Sequence, residues 1–388
     1  MKLLFRRDLN LIWWINVGIS VSYTVHGSLL PLLMKERGIQ EGGIGFALGM
    51  ISVGMVLGYM TTGRAIDRMD RRWFILAGGL IWALTSILAW FADSVVLVAL
   101  LRLLQGFGFS IIYTAAMVYA SQALPPDWRG RVVGMVEAIG ALGIAVTPWI
   151  TYTLMARFGT AAALWMAGIV ALLVGFSALL LPRQEITKQA VTSFTAVRWL
   201  QPSAVIPGMI GFCLFFCATA LVSLGPLVAL RLGLVQVGLF LGLRALGTVP
   251  SRLLSGYLAD RFGSGWAIGV GYVTAALALG LLPLLHGEAF GLSLALLFGI
   301  GMGLASPALV SWILAHTPVT EHAVALNTFY MFTEGSGFLG AWAFGIGLER
   351  IGLLSLYGLC AVTLLGLAGF AAASRLRANN NVNRVGLI

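Results

Sequence analysis

Near-continuous apolar stretches of 20 or more residues recur from one end of this chain to the other, and they settle the solvent before any motif is considered. A helix rises 1.5 Å per residue, so about 20 such residues cross the roughly 30 Å of hydrocarbon in a bilayer. Twelve stretches qualify, at approximately 9–33, 42–62, 73–92, 94–123, 132–155, 159–182, 203–231, 234–255, 265–285, 288–316, 322–347 and 351–374. With 59% hydrophobic and 10% charged residues the chain is no soluble globule, since about a quarter of a globule's residues carry charge. The expectation is an all-α membrane protein with 12 transmembrane helices. The first stretch follows MKLLFRRD, basic like the start of a signal peptide, but it is too long and has no small-residue cleavage site. It reads as a retained span.

The formal charge of +10 suits a nucleic-acid partner at first sight. Its distribution argues otherwise. With loops assigned alternately to two sides, about 17 of the 24 Lys and Arg share a side with both termini and about 5 lie opposite. Positive charge marks the cytoplasm, so both termini are expected there, in a multi-pass protein of the cell's inner (plasma) membrane, with lipids as neighbours and no nucleic acid. Cys213, Cys217 and Cys360 fall within spans and read as small apolar packers.

The chain repeats itself. GRAIDRMDRR at 63–72 is echoed 193 positions later by GYLADRFG at 256–263, each a charged turn between apolar runs. EAIGALG at 137–143 matches EGSGFLG at 334–340, at an offset of 197. The hydrophilic stretch at 183–202 divides six spans from six, the mark of a duplicated transporter. The expected domains are a six-helix bundle at 1–183, a cytoplasmic linker at 184–202, a second six-helix bundle at 203–375 and a cytoplasmic tail at 376–388.

These residues resemble the major facilitator superfamily of secondary transporters along the whole chain. The family's charged turn is similar to Gly63, Asp67, Arg68, Arg71 and Arg72, with Asp70 where a second glycine is usual. In the second half Gly256, Asp260, Arg261 and Gly263 match, but Ser264 and Gly265 replace the basic pair. RLLQGFG, with Arg102, Gln105, Gly106 and Gly108, resembles a second motif, and PPDWRGR at 125–131 a third. The resemblance implies two pseudo-symmetric six-helix bundles that rock about a central cavity between spans one, four, seven and ten.

The charged turns have a physical reading of their own. Asp67 ends a span, where it can accept from a neighbouring helix N-terminus and pair with Arg68, Arg71 or Arg131. With Gly63 and the second copy, Gly256, Asp260 and Arg261, it forms an expected conformational latch. The alternative is that these arginines only set topology and meet lipid phosphates.

Ionisable groups inside spans are costly and therefore candidates for function. They are His26, Arg102, Glu137, Arg244 and Glu334. Glu334 lies some 12 residues into span eleven, roughly 18 Å by helical rise and near mid-membrane. A carboxyl desolvated there can load and release a proton. Proton coupling is assigned to Glu334, Arg102, Glu137 and His26; for Arg102 the resemblance implies either proton coupling or binding of an anionic group, with bracing of spans one and four through backbone carbonyls as the alternative, while Glu137 also fits a packing role beside its glycines and Arg244 reads as packing.

The expected cavity residues are Asn16, Tyr23, His26, Arg102, Gln105, Tyr113, Phe216, Ser311 and Trp312. Aromatic groups dominate, which suits a small amphiphilic or lipophilic molecule better than a sugar, whose lost water hydrogen bonds need many polar partners. GALGIAVTPW at 140–149 is a degraded form of an exporter motif, with Thr147 in place of glycine before Pro148. The expectation is proton-coupled export, with proton-coupled uptake, export of a lipid or siderophore-like metabolite, and a non-transporting receptor as alternatives. There is no HExxH, GxSxG or GxxxxGK, and the four histidines do not cluster in one span. No enzyme, cofactor, metal or ATP-driven pump is expected, only a monomer that binds a small molecule and protons or another ion.

Overall fold

The computed structural model describes residues 7–122, 126–183, 200–284, 287–318 and 321–385, and within these the side chains other than those at 63–64, 67–68, 121–138, 260, 322–323, 327 and 370–385. Among the described residues the long elements are all helices: α1 (Arg7–Glu36), α2 (Glu41–Arg68), α3 (Arg71–Ala89), α4 (Val95–Gln122), α5 (Pro126–Ser177), α6 (Pro202–Val222), α7 (Gly225–Arg231), α8 (Val237–Phe262), α9 (Ser264–Leu281), α10 (Glu288–Ala315), α11 (His322–Arg350) and α12 (Gly352–Val385). Ten are long and apolar enough to cross a membrane. α5 makes two crossings, broken at Gly159, whose φ of 84° and ψ of 167° only glycine adopts without strain. α6 and α7 together cover the seventh apolar stretch, and α11 adds a further helix of 29 residues. The twelve spans expected from the sequence are accounted for.

Hydrogen bonds between turns show the alternation directly. At the terminal end, which holds the start of α1, Arg72 Nη1 donates to the Leu181 carbonyl at 3.2 Å and Tyr119 to that of Pro182 at 2.9 Å. There too, Gln201 Nε2 donates to Glu321 at 2.7 Å. At the opposite, distal end Arg37 donates to the carbonyls of Trp90 and Ala92, and the Gln236 N–H donates to Glu288 at 2.6 Å.

α1, α2, α3 and α4 pack with α5 into one bundle, while α6 and α8 to α12 form the other. The halves meet along two seams, α2 against α11 and α5 against α8. Small residues make both bundles tight. Cβ atoms built on Gly54 and Gly106 would strike the backbone at Leu103 and Ile51, joining α2 to α4. In the second bundle Gly247 and Gly299 meet Leu296 and Arg244 in the same way, every position shifted by 193. The seams obey the same register: Gly45 and Gly49 meet Ala341 and Phe338, as Gly238 and Gly242 meet Pro148 and Ala145. This corrects one reading of the repeat. In α5 and α11 the structural offset is 193, not the 197 of the EAIGALG match, so Glu334 falls opposite Ala141 rather than Glu137. A slip of four residues is about one helical turn, which leaves the same face forward and lets sequence similarity drift.

Close approach of this kind replaces the hydrophobic effect, which does little between helices already in hydrocarbon. Two buried tyrosines complete their polar needs internally: Tyr272 donates to the Ile210 carbonyl at 2.7 Å and Tyr357 to that of Ala220 at 3.1 Å. Hydroxyls along the spans donate back one turn, as Thr24 does to Ser20 and Thr151 to Thr147. The outer surface carries Leu84, Val96, Ile169 and Val362, all largely exposed. In water such a surface would aggregate; in lipid it is the expected face.

Candidate functional site

Among the described residues the close contacts of both seams lie toward the distal end. There α2 and α11 touch through Gly45 and Gly345, and α5 and α8 through Pro148 and Gly238. Towards the terminal end α8 turns Leu253, Leu254 and Tyr257 outward, Gly256 and Gly335 have nothing within 4 Å of a built Cβ, and Tyr330 on α11 is exposed. The described contacts between the halves are therefore concentrated at the distal end.

The seal has an ionic rim. Glu41, at the first turn of α2, is 2% exposed and accepts from Arg231 Nη2 at 2.6 Å on both carboxylate oxygens. Lys35 Nζ lies 3.3 Å from the same carboxylate. Arg231, on α7, also donates to the Leu348 carbonyl at 3.2 Å, and the Gly42 N–H donates to Glu349 at 2.8 Å. The second half thus caps the α2 N-terminus of the first with the Glu349 carboxylate, while Arg231 caps the C-terminus of its own half's α11 and reaches across to Glu41. None of these residues was among the sequence candidates, although acidic and basic residues at distal helix ends were the available signal.

Directly below the seal lies a cavity of about 50 Å³. Its apolar wall is Leu48, Ile144, Pro148, Val222 and Leu241, and its polar wall Tyr23, Thr24, Ser28, Ser223, Arg102 and Arg244. The two arginines come from opposite bundles, each seven positions past the first residue of its helix, Val95 or Val237, and so at matched depth. Arg102 is 3% exposed and donates to Gln105 Oε1 at 2.9 Å, yet its Nε, the Nε of Arg244 and Gln105 Nε2 have no partner. Tyr23 is within electrostatic reach of Arg102, Arg244 and Glu334. A buried guanidinium without a counter-charge costs several kcal/mol, so this pair is expensive to keep unless it binds something. A second, wider cavity of about 370 Å³ opens at the distal rim between α5 and α8, lined by Trp149, Tyr152, Arg157 and Gln236 among others.

Of the cavity residues named from sequence, Tyr23 and Arg102 line this space and Gln105 braces it. Asn16 is buried against α5, its amide oxygen filling the room left by Gly140 and accepting from Ser20 at 3.3 Å. His26 sits inside the first bundle, Nδ1 donating to the Ser22 carbonyl at 2.8 Å and the ring edge-on to Trp82 at 5.8 Å. Tyr113 stacks on Phe109 at 5.8 Å. Phe216 packs between Phe212 and Phe344. Ser311 and Trp312 are half-buried on α10, the indole edge-on to His316. Glu334 is on α11, near Tyr23. Arg244, read from sequence as packing, joins the cavity instead.

Of the latch residues, the side chains of Gly63, Asp67, Arg68, Arg131 and Asp260 lie outside the described residues, as does that of Glu137. Arg71 is buried in the first turn of α3. Arg261 donates to the Tyr257 hydroxyl at 2.8 Å, and Gly256 faces open space. Asp70, where the resemblance would put a glycine, caps α3 by accepting from the Arg72 N–H and holds the Arg72 guanidinium at 2.6 Å. That guanidinium keeps the Asp70 carboxyl below its ordinary value.

Two duplicated bundles with a cavity lined from both halves have the architecture of a membrane transporter. The chain matches the family model of the Major Facilitator Superfamily over residues 12–341 and again over 209–383. It belongs to that family, whose members are transporters and not enzymes. It is 25% identical to the putative niacin/nicotinamide transporter NiaP of Bacillus subtilis (strain 168), over 69% of this chain and 68% of that one. It is 27% identical to the multidrug resistance protein MdtL of Shewanella sp. (strain ANA-3), over 44% and 43%. The crystal structure of the nucleoside transporter NupG shares the fold, with a TM-score of 0.75, 15% identity and coverage of 94% and 98%.

Proposed function

We propose that the chain carries a small amphiphilic molecule across the cell's plasma (inner) membrane by rocking residues 1–183 against 203–375, with Glu334 as the proton carrier. The observation behind this reading is the asymmetry of the seams: among the described residues their close contacts lie toward the distal end, beside a cavity lined from both halves. The positive charge of the terminal side supports a cytoplasmic position for that end, and on this reading the state faces inward. The turn around Asp67, Arg68 and Arg131, with its copy at Asp260, is the proposed latch of the opposite state. A monomer suffices, because the cavity draws on one chain.

Export was the direction expected from the Gly140 to Pro148 pattern, and a relative named for multidrug resistance supports it. In the structure the same segment builds the distal seal, Pro148 against Gly238 and Ala145 against Gly242, a job that either direction needs. Uptake is the second reading, favoured by the cationic lining. The cavity carries two guanidiniums, and Glu334 acts electrostatically on Tyr23 in its wall, so protonating Glu334 leaves the surroundings more positive and a solute drawn by that charge binds together with the proton.

Vesicles with an imposed pH gradient test the coupling, and comparison of right-side-out with everted vesicles reads the direction. Solute addition should move protons in the wild type and not in Glu334→Gln. Transport that stays intact and pH-dependent in that variant refutes the assignment.

A further inference from the structure

We propose that Arg102 and Arg244 form a two-sided anion site, one guanidinium from each bundle, which takes the carboxylate of a small organic acid. This rests on the transport reading, in that the cavity between the halves is the solute site.

Three observations carry it. The guanidiniums line one cavity at matched depth, and among the described residues no carboxylate lies within ion-pair distance of either. Each has an unpartnered Nε, and Arg102 is almost wholly buried. The space of about 50 Å³ is a few times what one water needs, the size of a carboxylate head rather than of a whole solute. Leu48, Ile144, Pro148 and Val222 supply an apolar wall for the body of the acid, and the hydroxyls of Tyr23 and Ser223 lie beside its head.

The placement has a mechanical consequence. In this state the two guanidiniums, one on α4 and one on α8, line the same cavity. An acceptor that bonds both ties α4 to α8, so binding favours the state in which they share it. Arginine suits this role because its planar fork meets a carboxylate with two parallel bonds, where lysine offers a point charge.

The test uses purified full-length protein and three probes of one shape: benzoate, neutral benzamide and cationic benzylamine. Thermal shift and calorimetric titration at low salt should show benzoate binding at least tenfold more tightly than either of the others. Arg244→Gln and Arg102→Gln should each weaken benzoate at least tenfold and leave benzamide unchanged. If a glutamine variant does not fold, Arg102→Lys and Arg244→Lys should each weaken benzoate about three- to tenfold. Equal binding of benzoate and benzamide, a preference for benzylamine, no binding of any probe, or benzoate binding untouched in the folded variants overturns the anion site. Binding with these properties but no flux of benzoate in proteoliposomes upholds the anion site and counts against the transport reading alone.

Discussion

Replacing Gly45 by alanine should push the protein out of its distally sealed state. A Cβ at this position collides with the Ala341 carbonyl oxygen, lies 2.9 Å from its carbon and 3.3 Å from the Gly345 Cα. Carbon contacts normally settle near 3.5 Å, so α2 and α11 must separate by half an ångström or more, and backbone cannot swing aside as a side chain can. Overpacking of this kind costs about 1–3 kcal/mol. The cost falls on the sealed state alone, because the two helices part when the distal end opens. At 1.4 kcal/mol per tenfold, the ratio of sealed to open molecules should fall by about 5- to 150-fold. Spin labels at Asp93 and Val235, both largely exposed and on opposite bundles at the distal end, report the gap. Double electron resonance should show a longer-distance population in Gly45→Ala. Gly358→Ala is the control, since its Cβ meets nothing within 4 Å. If the two variants give the same distance distribution, the seal does not depend on helix contact at Gly45 and the reasoning fails.

The ionic rim should act in the same direction. Glu41→Gln and Arg231→Gln should each favour the distally open state by about 1–3 kcal/mol, as for a charge-assisted pair losing one partner, and the double variant should cost less than their sum. Strict additivity in the same distance measurement would mean that the contact is not energetically coupled. Asp70→Ala should lower stability by about 1 kcal/mol through loss of the α3 cap, read by thermal melting in detergent. Because Arg72 holds the Asp70 carboxyl below its ordinary 3.8, the ion-pair part of that difference is present at neutral pH and is lost as pH falls through the lowered value. A gap between variant and wild type that widens on acidification would contradict this.

The membrane class and the twelve spans were legible because hydrocarbon imposes a length and a polarity that each helix obeys alone. Gly159 and the α6–α7 break did not obscure them, since a turn within an apolar run still leaves two runs. The duplication was legible too, but its register in the second seam was not. EAIGALG and EGSGFLG are alike at 197, while the backbone contacts of Ala145 and Phe338 fix 193. Similarity of composition tolerates a one-turn slip, and a helix packed at van der Waals distance does not. Arg102 announced itself as a charge inside a span within a motif. Arg244 was visible as a charge but had no motif, and only the packing of α8 on α5 aims it at the same space.

By itself, then, the sequence determined the solvent, the number of crossings, the duplicated halves and the family, because each depends on residues close in the chain or on a repeat of whole segments. The tertiary structure decided which ionisable groups share a site, which end is closed, and that Glu41 and Arg231, 190 positions apart, hold it shut. Those depend on distances between helices. A helix face can meet any of several neighbours, and only the packed arrangement of glycines chooses one.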